Sequence, residues 1–146
     1  YACTLLAAVV GDQSAVFVQI GDGAMVISSG TGWRHVFWPQ HGEFANTTNF
    51  VTSERAVPEL EFVRVDEAVQ EIAIFTDGIE NLVLQKAGKT AHAPFFDSMF
   101  PPVRKSLASG VDAELSRALD KYLSSPTINN RTDDDKTLIL ASRRRG

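Results

Sequence analysis

Apolar and polar positions alternate through the early part of the chain, and the alternation predicts strands. Cys3 to Val10, Ala15 to Ile20 (AVFVQI), Ala24 to Ser28 (AMVIS) and Trp33 to Trp38 (WRHVFW) are separated by Gly-, Asp- and Ser-rich turns. Short turns between consecutive strands predict an antiparallel meander. Leu60 to Val65 (LEFVRV) alternates as well, and is expected to pair with the following strand across Asp66-Glu67-Ala68. That following stretch, Val69 to Asn81 (VQEIAIFTDGIEN), has a different pattern. It is wholly apolar from Ile72 to Phe75, as a strand buried on both faces is. It stops at Thr76-Asp77-Gly78, and helical spacing carries on to about Leu84. A carboxylate therefore stands where a buried strand hands over to a turn. Rigid strand ends beside open turns are good places for chemistry. On this stretch alone the plain expectation is that Asp77 caps the helix and Gly78 eases the turn.

Helical periods dominate the second half. Ala93 to Ala108 predicts a helix, kinked or in two pieces at Pro101-Pro102. Val111 to Leu123 predicts another, started by Asp112 and carrying Leu115, Leu119 and Leu123 at spacings of four. Lys86 to His92 is expected to be linker. Pro39 to Glu54 is polar, has neither period, and predicts a long excursion of the kind that is often functional. Asp133-Asp134-Asp135 leads into a last strand, Lys136 to Ser142. No internal repeat interrupts this order, so residues 1–146 read as one α+β domain with a mainly antiparallel sheet.

Composition narrows the functional classes. The 146 residues are enough for a single sizeable core. Fourteen Lys and Arg against eighteen Asp and Glu give a net charge of −4, without a basic stripe interleaved with aromatics, so no nucleic-acid partner is expected. Arg143-Arg144-Arg145 is expected to be a solvated tail. The single cysteine, Cys3, leaves neither an intrachain disulfide nor a cysteine zinc site, and is expected in the core. A reducing, cytoplasmic setting follows as the default. No apolar run approaches roughly 18 residues, so no membrane span is expected. Tyr1 to Val10 reads as a core strand from the first residue, without a basic leader, and leads us to expect a segment upstream.

The candidate chemistry lies at three acidic strand ends. Asp22 closes one strand, Asp77 closes a second, and Asp133–Asp135 opens a third. In an antiparallel sheet such ends can share a rim, where carboxylates repel unless a cation joins them. All-oxygen donor sets suit Mg²⁺ or Mn²⁺, and two ions about 4 Å apart can activate water and clamp a displacement at phosphorus. Each Asp alone has a plainer role. Asp22, between two glycines, reads as a turn residue, and two of the triplet read as solvated turn or cap residues. His35, His41 and His92 have no partner at metal-ligand spacing.

Together, IGDGAMVI (Ile20–Ile27), IAIFTDGIEN (Ile72–Asn81) and DDDKTLILA (Asp133–Ala141) resemble the metal-dependent protein phosphatase family called PP2C. The resemblance implies a β-sandwich flanked by helices and hydrolysis of phosphoserine or phosphothreonine in a protein substrate. It implies Asp77 and Asp134 as ligands of two Mg²⁺ or Mn²⁺ ions, with Gly78 at the turn between strand and helix. Asp22 would match the ligand of a third, more labile ion, although Gly23 and Ala24 replace the family's usual Ser-Arg there. The family's first acidic strand and Asp-Gly-His-Gly motif have no counterpart here, so the resemblance implies the C-terminal portion of the domain. A missing N-terminal segment or a second chain would then complete the fold. The rival expectation is a non-catalytic binding module, or pseudophosphatase, built on the same scaffold.

Overall fold

The computed structural model describes residues 2–40 and 48–144. Strands β1 (Leu5–Val10) and β2 (Ala15–Ile20) form an antiparallel hairpin. Strand β3 (Ala24–Ser28) then leaves that sheet and pairs with the two-residue β4 (Arg34–His35). A short helix, α1 (Ala56–Glu59), precedes β5 (Glu61–Val65), and β6 (Glu71–Phe75) follows. One 3₁₀ turn (Asp77–Ile79), the short α2 (Glu80–Val83) and a small hairpin, β7 (Leu84–Gln85) with β8 (Thr90–Ala91), come next. Helices α3 (Ala93–Lys105), α4 (Ala113–Leu123) and α5 (Pro126–Asn129) lead to β9 (Leu138–Ser142).

Besides the β7-β8 hairpin, the described strands form two antiparallel sheets, in the orders β1-β2-β5 and β4-β3-β6-β9. Phe17, Met25, Ile27, Val69 and Ile72 fill the layer between them. A second core, with Val26, Ala73, Phe75, Phe96, Phe100 and Leu123, joins the other face of the four-stranded sheet to α3 and α4. Alternate residues of β3 and β6 enter opposite cores, and this is why neither strand has a polar face. The predicted α+β sandwich flanked by helices is the architecture found.

Several local expectations need correction. Strand β5 pairs with β2 and lies in the other sheet from β6, whose partners are β3 and β9. The first strands are not one meander, because the chain changes sheets at Gly21–Gly23. Gly21 takes φ +112 there, a left-handed conformation that glycine adopts without strain. Strand β1 is a sheet edge rather than a core strand: Val9 is 74% exposed, and Cys3 is exposed too. The strand expected over Trp33–Trp38 shrinks to two residues, and the presumed linker Lys86–His92 carries β8. Helix α3 runs through Pro101 and Pro102 as one element. Helix α4 starts as expected, with the Asp112 carboxylate accepting from the Glu114 and Leu115 amides at 3.0 Å.

Arg143 is no solvated tail. Its backbone amide donates to the Gln70 carbonyl at 2.7 Å, and its guanidinium reaches the Val69 carbonyl and Asp12. Tyr1, His41 with residues 42–47 of the expected excursion, and Arg145 with Gly146 lie outside the described residues. Among the described residues, no helix is long and apolar enough to cross a membrane.

Candidate functional site

The register of the four-stranded sheet brings the acidic turns to one rim. Ala24 of β3 pairs with Phe75 of β6, and Phe75 pairs with Leu138 of β9. Asp22 precedes the first pair by two residues and Asp77 follows it by two. Antiparallel strands run in opposite directions, so the two carboxylates leave the sheet at the same end. Asp134, four residues before Leu138, approaches that end from the third strand. A shared rim is what the sequence led us to expect, and the strand pairing β3-β6-β9 is what produces it.

Backbone packing holds the three turns together. A Cβ built on Gly78 would stand 2.1 Å from the Asp135 carbonyl oxygen, and one on Gly23 would stand 2.9 Å from the Phe75 carbonyl oxygen. Both glycines are therefore there to let backbones approach. Thr76 adds three hydrogen bonds across the same gap. Its amide donates to the Thr137 carbonyl at 3.2 Å, its hydroxyl accepts from the Thr137 amide at 3.0 Å, and that hydroxyl donates to the Asp135 carbonyl at 3.3 Å. The Asp134 carboxylate accepts from the Asp135 amide at 2.8 Å, which orients it within its turn.

The electrostatics agree with this convergence. Asp77 has its carboxyl pushed above the usual aspartate range, first by the protein packed around it and then by the negative charges of Asp22 and Asp134. The amides of Gly78 and of Asp77 itself oppose that rise. They close no capping bond, for neither the 3₁₀ turn nor α2 has a side-chain cap. The capping role considered for Asp77 is therefore not what this geometry provides. Asp77 stays exposed as a residue, so water and ions reach it.

Two residues of this neighbourhood escaped the sequence reading. Thr48 donates its hydroxyl to the Asp22 carboxylate, which ties the polar excursion to the rim. Nothing in the aperiodic stretch around Thr48 signalled that contact. Thr76 sat inside a quoted motif, and its position directly before Asp77 at a strand end was the available signal. The two described histidines have other partners: His35 packs edge-on against Trp38 at 5.3 Å, and His92 meets Gln85 at 3.0 Å.

The donor set suits a hard cation, because carboxylates crowded at one rim repel each other and positive charge relieves that repulsion. The set is incomplete on its own. Among the described residues, no three His, Cys, Asp or Glu side chains are drawn together tightly enough to hold a metal ion. A cleft of about 1480 Å³ lies elsewhere, between α3, α4 and the outer edge of β9, and includes none of the acidic turns.

The fold is a helix-flanked β-sandwich of the class found in bacterial serine/threonine phosphatases. Serine/threonine phosphatase Stp1 from Staphylococcus aureus superimposes with a TM-score of 0.56 at 17% identity, over 97% of this chain and 56% of that one. The crystal structure of a bacterial serine phosphatase gives 0.57 at 14% identity, over 95% and 57%. At these identities the likeness concerns the fold alone. The family model for protein phosphatase 2C matches residues 1–123. Serine/threonine-protein phosphatase 3 of Escherichia coli (strain K12) is 40% identical over 141 residues, which are 97% of this chain and 55% of that protein. The chain belongs to the protein phosphatase 2C family. It spans about half the length of these relatives, and Asp134 lies beyond the part matched by the family model.

Proposed function

We propose that the protein bearing this chain is a protein serine/threonine phosphatase that hydrolyses phosphoserine and phosphothreonine monoesters, in a cytoplasmic setting. Asp77 and Asp134 hold Mg²⁺ or Mn²⁺, Asp22 holds a third, more labile ion, and Gly78 keeps the turn between them close. The observation that carries this reading is the β3-β6-β9 register, which brings the Asp22, Asp77 and Asp134 turns to one rim of the sheet. The remaining ligands would come from outside the described residues, whose carboxylates do not complete a metal site by themselves. Bound divalent ions supply an acidified water and neutralise charge on the phosphoryl group. The chain's own residues do the holding. Asp77 and Asp134 present acceptor oxygens, while Gly78 and the Thr76 hydroxyl keep their turns in contact. Thr48 orients the Asp22 carboxylate through the hydrogen bond that it donates.

The test is Asp77→Asn and Asp134→Asn in the full-length protein, assayed with Mn²⁺ on a phosphopeptide and melted with and without the ion. Asparagine keeps the size of the side chain and removes its charge. We expect both turnover and the Mn²⁺-dependent rise in Tm to be lost in each variant while the fold survives. Turnover retained in Asp77→Asn would sink the catalytic reading and leave the non-catalytic binding module.

A further inference from the structure

We propose that Thr76 is a positioning residue that sets the distance between the Asp77 and Asp134 turns, so that metal affinity depends on its hydroxyl. This inference rests on the phosphatase reading above. The β6–β9 ladder ends irregularly. Beyond the Phe75–Leu138 pair the next partners are Thr76 and Thr137, and the Thr76 amide still donates to the Thr137 carbonyl. The return bond of a regular antiparallel pair would run from the Thr137 amide to the Thr76 carbonyl. That carbonyl is engaged otherwise, because it accepts from the Ile79 amide at 3.3 Å and so closes the turn that presents Asp77.

The hydroxyl takes over the vacated role. It accepts from the Thr137 amide, and its own proton goes to the Asp135 carbonyl. One side chain thereby lets β6 turn away and keeps β9 joined to it. The Asp135 carbonyl is gripped from two directions, by this hydroxyl and by the close face of Gly78. Asp134 is covalently adjacent to that gripped residue. Serine could make the same bonds, whereas valine, of nearly the same shape, could make neither.

The test measures Mn²⁺ affinity directly, by calorimetry and by Mn²⁺-dependent Tm, in the full-length protein and its Thr76→Val, Thr76→Ala and Thr76→Ser variants. Groups that orient a metal's ligands typically contribute 10–100-fold to affinity, and we expect a loss of that order in Thr76→Val and Thr76→Ala. Thr76→Ser should restore affinity to within a few-fold of wild type. Hydrogen exchange of the Thr137 amide should quicken in Thr76→Val and not in Thr76→Ser. A merely structural role would lower the metal-free Tm and leave Mn²⁺ affinity unchanged, and that result overturns the proposal. Thr76→Ala, which adds no apolar bulk, decides the matter if Thr76→Val does not fold. Wild-type protein that binds no Mn²⁺ and hydrolyses no phosphopeptide would instead overturn the phosphatase reading, and the positioning role with it.

Discussion

Gly78→Ala tests how tightly the two acidic turns are packed. The added Cβ would meet the Asp135 carbonyl oxygen at 2.1 Å and its carbon at 2.9 Å, whereas ordinary contact begins near 3.4 Å. The obstacle is backbone, so it cannot swing aside as a side-chain tip would. The Asp135 turn must retreat by about an ångström, and overpacking of this kind typically costs about 1–3 kcal/mol. Gly78 has no positive φ, so no left-handed strain adds to the cost. An opposing gain of about 0.4–1 kcal/mol comes from the reduced freedom of the unfolded chain. The net expectation is a loss of about 1–2 kcal/mol, seen as a Tm lower by several degrees. Function should suffer more than stability. The residue that retreats is bonded to Asp134 and held by Thr76, so the Mn²⁺-dependent rise in Tm should shrink. Denaturant unfolding and melting of the full-length protein, each with and without Mn²⁺, measure both quantities. A Gly78→Ala variant as stable as wild type, with an undiminished Mn²⁺ response, would refute the packing argument.

Two further predictions concern the frame around the site. Arg104 of α3 donates two hydrogen bonds to Glu71 of β6, a carboxylate only 5% exposed. Arg104→Ala leaves that charge unpaired and should destabilise the fold by about 1–3 kcal/mol in denaturant titration. The arginine is itself half exposed, so a larger loss is not expected. Hydrogen bonds from the Ser106 hydroxyl and from the first amides of α4 hold the Asp112 carboxyl below its usual range. A depressed acid stabilises the fold above its unfolded pKa, and that contribution is lost as pH falls through the folded value. Asp112→Ala should therefore lower Tm at neutral pH and flatten the fall of Tm in acid. An unchanged acid limb would contradict the capping geometry.

Local pattern determined a good deal about this protein. The apolar run Ile72–Phe75 announced a strand without a wet face, and β6 does lie between two cores. Asp112 and the leucines behind it defined α4, because a cap and a 3.6-residue period are written within a few consecutive positions. The acidic strand ends were legible for the same reason, as were the motifs that carry the family. Partnership was not. Alternation says that a strand has two faces and leaves its neighbours open, so β5 could be assigned to β6 when it in fact pairs with β2. Exposure depends on those neighbours as well. Cys3 and Val9 sit in an apolar run and look like core, yet an edge position leaves them in solvent. The candidate site shows the same division. Sequence marked Asp22, Asp77 and Asp134 and grouped them by resemblance, and the β3-β6-β9 register decided how they come to one rim. Thr48, the Thr76 hydroxyl and the grip of Gly78 on Asp135 are contacts between residues distant along the chain, and tertiary packing alone decided them.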